Sequence, residues 1–172
     1  EHDRKEGAKM GLLKQLMGEE PFFWQDMAHA KDDTGEYGEW LTEFALNRKT
    51  IPGTFFVLHN IFVPWKGKTT EIDILLLHRK GIFVIESKNL SGSIYGAPED
   101  LHWTQYLGGQ KSRFYNPVRQ NETHMTALSA FIGVPRQDIS SYVVFSNRCR
   151  LGDMPQNMDG AIVVHRDEIV KE

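Results

Sequence analysis

Apolar residues along this chain alternate with polar ones over several short stretches, and twice the spacing changes to that of a helix. Trp40, Leu41, Phe44 and Ala45 recur at helical intervals behind the capping candidates Asp32, Asp33 and Thr34. They predict an amphipathic helix over roughly 35–48, ended by Ile51-Pro-Gly53. Phe55 to Val63 is rich in aromatic and β-branched residues and reads as a strand, with a loop over 64–69. Two further apolar runs, from Glu71 and from Gly81, read as buried strands joined at His78-Arg-Lys-Gly81. Glycines at 92, 96, 108 and 109, with Pro98, make 91–115 a loop holding one short strand near Ser93–Tyr95. Asn116-Pro117 starts a second helix, with Val118, Met125, Leu128, Phe131 and Ile132 as its apolar face and Gly133 as its stop. Tyr142–Phe145 and Ala161–Val164 are two more short buried strands, and Asp167 is placed to cap a final helix. Met10 to Met17 suits a short helix, and Pro21-Phe-Phe-Trp24 an aromatic docking element. Helix, three strands, helix, strand, strand describes an α/β sandwich with a mixed sheet over 34–172, behind an extension of residues 1–33.

The strand pair after residue 70 breaks the apolar rule in an informative way. Asp73, Glu86 and Lys88 sit within it, and carboxylates in apolar strands are costly unless something neutralises them. With two or four residues in the turn, the partner of Asp73 is Glu86 or Lys88, and those two lie on one face of their own strand. All three side chains are therefore expected on one face of one sheet. Two readings follow: a divalent cation held by the carboxylates, or a structural network in which Lys88 neutralises the pair.

Composition narrows the setting. Of 172 residues, 40% are hydrophobic and 25% charged, which is enough chain and apolar content for one domain with a core. No apolar run reaches the ~18 residues of a membrane span, and the opening Glu1-His-Asp-Arg-Lys has no secretory pattern, so a cytoplasmic location is expected. The chain does not begin with Met, so it is expected to be part of a longer one. Cys149, the one cysteine, excludes an internal disulfide; Arg148 and Arg150 beside it are of a kind that lowers a thiol pKa, although an incidental cysteine is the plainer reading. Asn89 and Asn121 open chance matches to the glycosylation pattern. The net charge is −3, yet residues 60–120 carry eight basic and five acidic groups. Lys66, Lys68, Arg113 and Arg119 are candidates there to face a nucleic-acid backbone; a solvated loop surface is the plainer alternative. Trp65 and Trp103 offer stacking faces, although an isolated loop Trp is more often a packing anchor. The seven histidines show no metal-ligand spacing, and Gly108-Gly109-Gln-Lys lacks that of a phosphate-binding loop.

An acidic residue opening one strand and Glu-x-Lys on the next resemble the core of the PD-(D/E)xK nuclease superfamily. The ordered set is tighter than that. Gly38-Glu39, Ile72-Asp73, Gly81-Ile-Phe-Val-Ile-Glu-Ser-Lys-Asn89, Ser91-Gly92, Trp103, Asn116-Pro117-Val-Arg-Gln120 and His124 together resemble the nuclease-related domain, NERD, over roughly 35–135. Ser87 stands where Thr is more usual, and Ile72 where the superfamily has proline.

The resemblance implies a restriction-endonuclease-like fold, an αβββαβ core whose mixed central sheet is flanked by helices. It implies hydrolysis of phosphodiester bonds in nucleic acid, DNA rather than RNA, with Mg (or Mn). Asp73 and Glu86 would be the metal ligands, with the Ser87 carbonyl a third oxygen. Lys88 would orient or deprotonate the attacking water, and Glu39 and Gln120 would reach the same site. Each also has a plainer reading: Lys88 as charge partner of Glu86, Glu39 as a solvated helix acid, Gln120 as a helix-surface amide. Related enzymes that cut duplexes as dimers make a homodimer an allowed arrangement. The alternative function is a non-catalytic module on the same fold that binds nucleic acid or protein.

Overall fold

A computed structural model of the chain describes residues 53–169 together with Gly38, Thr42, Ala45, Leu46 and Ile51. The expected elements at Met10–Met17 and Pro21–Trp24, and Glu39 itself, lie outside the described residues. Gly38, Thr42, Ala45 and Leu46 are helical, within the helix predicted over 35–48. The fold is mixed α/β, with two mixed sheets instead of the single one expected.

The first sheet has six strands. β1 (Phe55–Trp65), β2 (Lys68–His78) and β3 (Gly81–Lys88) form an antiparallel meander, and β3 continues into β7 (Ile139–Phe145), β10 (Ala161–His165) and β9 (Asn157–Met158). β7 runs parallel to both β3 and β10, so the chain must cross over between β3 and β7. The helix α1 (Pro117–Ile132) lies on that crossover. Asn116 caps it, its Oδ1 accepting from the amides of Val118 at 2.9 Å and Arg119 at 3.5 Å. Gly133 ends it in the left-handed region (φ 72°), where glycine has no Cβ to strain.

α1 buries Met125, Ala127 and Leu128 against Leu58, Val63, Ile72, Leu75, Val84 and Ile139 on one face of the sheet. On the opposite face Leu46 packs with Ile74, Leu76, Ile85, Val144 and Val164. The sheet is thus covered on both sides, which is why its central strands read as near-continuous apolar runs.

Residues 91–115 depart most from expectation. β4 (Gly92–Tyr95) is the short strand anticipated there, but β5 (His102–Leu107) and β6 (Gln110–Tyr115) form a hairpin. With β8 (Cys149–Leu151) they make a second sheet in the order β6-β5-β4-β8. Gly108 and Gly109, read as loop glycines, are the two residues of the hairpin turn, both at positive φ (58° and 80°) as a type I′ turn requires. The inner face of this sheet packs Ile94, Trp103 and Cys149 onto Val118, Val143, Phe145 and Val163. Trp103 is fully buried, stacked on Phe145 and bonded through Nε1 to the Ala97 carbonyl at 2.9 Å. It is a packing anchor.

Residues 166–169 are turn, and the helix foreseen behind Asp167 would run on into residues 170–172, which lie outside the described residues. Among the described residues no helix is long and apolar enough to cross a membrane.

Candidate active site

The turn between β2 and β3 has two residues, Arg79 and Lys80, with His78 paired to Gly81. That register, continued past its last paired residues Ile74 and Ile85, sets Asp73 opposite Glu86. The pairing stops there because the Asp73 side chain takes over a backbone donor: Oδ2 accepts the Ser87 amide at 2.8 Å. Asp73 is also where the facing of β2 changes. Leu75 and Leu77 pack towards α1 before it, and Ile72 and Thr70 face the same way beyond it. Asn60 of β1, across from Asp73, has a left-handed backbone (φ 53°) and makes the same break between Leu58 and Ile61. The strand pair thus carries a paired dislocation at Asp73, which strict alternation does not foresee.

Glu86 is buried, 1% exposed, and its Oε1 meets Lys88 Nζ at 2.6 Å. Lys88 Nζ donates onward to Gln120 Oε1 at 3.2 Å, from the first turn of α1. One turn later His124 brings Nε2 to 3.2 Å from Glu86 Oε2, without hydrogen-bond geometry, so both atoms remain buried and unbonded. Its Nδ1 is held by Thr70 Oγ1 at 2.7 Å. Gln120 and His124 meet the strand together because residues four apart share a helix face.

Asn121, between them, is fully buried and ties α1 to the sheet. Its Nδ2 lies within bonding distance of Val84 O (3.0 Å), Ser141 Oγ (2.8 Å) and Tyr142 O (3.1 Å), while Oδ1 has no partner. Burial also removes it as a glycan acceptor.

The other face of β3 serves a different purpose. Ser87 Oγ lies 3.0 Å from Thr42 Oγ1, away from the carboxylates as its place in the strand implies. Gly38 packs so closely on Asn89 that a Cβ would overlap the Asn89 side chain. Arg166 reaches the same helical residues, donating from Nε to Thr42 Oγ1 at 3.1 Å and from Nη2 to the Gly38 carbonyl at 3.2 Å.

Electrostatically the carboxylates are under stress. Desolvation first, then the charge of Glu86, push the Asp73 carboxyl up from the ordinary 3.8 to about 7, against the pull of the Ser87 amide, Lys88 and His124. An acid so raised, beside a buried carboxylate oxygen with no hydrogen bond, is a donor set short of positive charge. Among the described residues no group of three or more His, Cys, Asp and Glu is placed to hold a metal. Asp73 and Glu86 bring two carboxylates together, hard oxygen donors of the kind that divalent cations such as Mg²⁺ take.

Asp73, Glu86, Lys88 and Gln120 therefore stand together. His124, which the resemblance named without a role, joins them with a direct approach to Glu86; Thr70, which holds it, carried no signal. The basic candidates are distributed instead. Lys66 and Lys68 sit at the β1–β2 turn, Lys66 over the Trp65 ring at 5.0 Å. Arg113 is on β6, and Arg119, on α1, donates to the Glu99 carbonyl at 3.1 Å. Cys149 is not a lowered thiol: burial pushes it up to about 11 despite Arg148, and its Sγ donates to the Ser146 carbonyl.

Comparison with known proteins identifies the family. The family model described as the nuclease-related domain, NERD, matches residues 34–146. An uncharacterised protein of Bacillus anthracis is 37% identical over 124 residues, which are 72% of this chain and 58% of that protein. The chain thus spans little more than half the length of that curated relative. No solved structure matches it.

Proposed function

The chain belongs to the nuclease-related domain family, and on that premise we propose that it hydrolyses phosphodiester bonds in nucleic acid, DNA in preference, on a restriction-endonuclease-like core. The observation that carries this reading is the pairing of Asp73, raised to about 7, with the buried and unbonded Glu86 Oε2. Two carboxylates facing each other out of water are destabilising unless a cation joins them. Mg²⁺ or Mn²⁺ bound there would relieve charge on the phosphorane-like transition state and acidify a water.

The chain's own residues divide the remaining work. Asp73 and Glu86 would hold the cation, with the Ser87 carbonyl as the third oxygen that family resemblance implies. Lys88, 2.6 Å from Glu86 and fixed from behind by Gln120, orients the attacking water and faces the developing negative charge. His124, anchored by Thr70, keeps the Glu86 carboxylate from rotating away. Glu39 is assigned to the same site by family resemblance alone.

A second reading has one observation in its favour. The Lys88–Glu86 ion pair and the Lys88–Gln120 bond already satisfy much of the cluster, as a structural network would. A non-catalytic binding module on the same fold would look like this.

Cleavage of supercoiled plasmid in Mg²⁺ or Mn²⁺, with Lys88→Ala and Asp73→Ala beside the parent, separates the two. Cutting that chelator and both substitutions abolish establishes the nuclease. A folded parent that binds metal and cuts nothing establishes the binding module. Cutting that survives both substitutions places the chemistry elsewhere.

A further inference from the structure

The second sheet has an outward face that the proposed chemistry does not use. Its inner face is closed by Ile94, Trp103 and Cys149 against the core, so the alternate positions on each strand must point to solvent. On β4, β5 and β6 those positions bring up Tyr95, Tyr106 and Tyr115, which are 46%, 44% and 43% exposed. On the same face, also exposed, stand Lys111 and Arg113 on β6 and, beyond β4 at the sheet edge, Arg150 on β8. The four strands carry no acidic residue at all.

The rings are held in place. Tyr95 and Tyr106 meet edge to face at 5.8 Å, and Tyr115 meets the His102 ring the same way at 6.2 Å. Lys111 Nζ lies over the Tyr106 ring at 5.7 Å. Gly152 packs beneath Tyr95, where a Cβ would strike the ring. Large aromatic rings are normally buried on folding. Here three of them are fixed at the surface, interleaved with cations.

We infer that this face is a binding surface for single-stranded nucleic acid, with bases stacking on the tyrosines and phosphates meeting Lys111, Arg113 and Arg150. Every base has a flat face to stack, and a single strand exposes it where a duplex hides it. A polyanion also suits a face with three cations and no carboxylate. The surface lies close to the proposed site along the chain: the step from Lys88 on β3 to Ser93 on β4 spans at most about 18 Å of backbone. Arg148 reinforces that step, donating from Nη2 to the Asn89 carbonyl at 3.3 Å and to its Oδ1 at 3.0 Å. The inference rests on nucleic acid being what the chain acts on, but not on cleavage.

Fluorescence anisotropy of labelled oligo(dT) and oligo(U) of about 20 nucleotides, in chelator so that nothing is cut, tests it directly. The parent is expected to bind both, and to bind a duplex of the same length more weakly. Tyr106→Ala is expected to weaken binding at least about fivefold, whereas Tyr106→Phe, which keeps the ring, leaves it unchanged. Replacing Lys111, Arg113 and Arg150 together by Gln should reduce the slope of log K against log salt by about 2. Should the β5–β6 substitutions cost structure by circular dichroism, Arg150→Gln alone carries the test, with a slope change of about 0.7.

A folded parent that ignores the oligonucleotides overturns the inference. Binding that is indifferent to Tyr106→Ala overturns it too, and leaves a generic polyanion patch fit for an acidic protein. Plasmid cleavage, scored separately, keeps the two proposals apart. Cutting without oligonucleotide binding refutes this surface alone, and binding without cutting refutes only the nuclease.

Discussion

The two sheets of this molecule place their charge in opposite positions. In the six-stranded sheet the informative charges are inside: Glu86 is 1% exposed and Asp73 is desolvated enough to hold its proton near neutral pH. In the four-stranded sheet the cations are outside, on strands without a carboxylate, and the inner face is apolar. Internal charges are expensive and persist where neighbours over-determine them, as Lys88, Gln120, His124 and Thr70 do around Glu86. External ones cost little and are free to meet a partner. If both proposals hold, the difference sorts reaction from recognition: the first sheet would hold reactive groups still, and the second would present a surface.

The largest effects should come from breaking the internal cluster. Lys88→Ala is expected to lower the rate of plasmid cleavage by about 10²–10⁴-fold, as loss of a positioned acid–base or electrostatic group does. Glu86→Gln should abolish metal binding, read by calorimetry with Mn²⁺, without lowering the melting temperature of the metal-free protein, because relief of its repulsion with Asp73 offsets the lost ion pair to Lys88. A metal-free Glu86→Gln protein that melts well below its parent would show that the Lys88–Glu86 pair is structural.

Next in size is the anchor between the sheets. Trp103→Ala empties the stack on Phe145 and removes one of the three donors to the Ala97 carbonyl, and should cost about 3–5 kcal/mol in urea unfolding. If the loss is well below that range, the second sheet does not depend on this contact for its place.

Asp73 supplies a pH-dependent term. Its carboxyl is raised in the folded state from 3.8 to about 7, so between those values the folded protein binds the proton that the unfolded chain has released. Stability of the metal-free protein therefore falls as pH rises from about 4 to 7, by at most about 1.4 kcal/mol per pH unit from this group, and the cost stays in place above 7. Asp73→Asn should flatten that decline, measured by denaturation at pH 5, 6, 7 and 8. The same protonation opposes a cation, so Mn²⁺ affinity should climb with pH up to about 7 and then level.

Much of the carboxylate–lysine cluster was legible in the sequence, since Asp73, Glu86 and Lys88 contradict the apolar strands around them and a two-residue turn brings them together. Asn116-Pro117 and Gly133 marked α1 for equally local reasons. What stayed hidden depended on tertiary contact. The break of facing at Asp73 and Asn60 leaves no periodicity to read, and Thr70 meets His124 only because that break turns it towards α1. The β5–β6 hairpin was missed for another reason. Its inner face is carried largely by Trp103 and Phe114, so the segment looks polar; and Gly108-Gly109, a hairpin turn signal, suggested only a loop.

The smallest expected effect sharpens the comparison most. Tyr115→Ala sits one residue along from Phe114, in the same strand, yet on the solvent side. Its ring touches His102 and is 43% exposed, so its removal should change unfolding stability by no more than about 0.5 kcal/mol. Phe114→Ala, which withdraws a ring packed edge-on against Trp103, should cost several times as much. Equal losses from the two would mean that the outer tyrosines are held for stability, and the surface would need no ligand to account for them. A near-neutral Tyr115→Ala beside a costly Phe114→Ala leaves three rigid, exposed rings that the fold itself does not require, and it is that surplus which recognition has to explain.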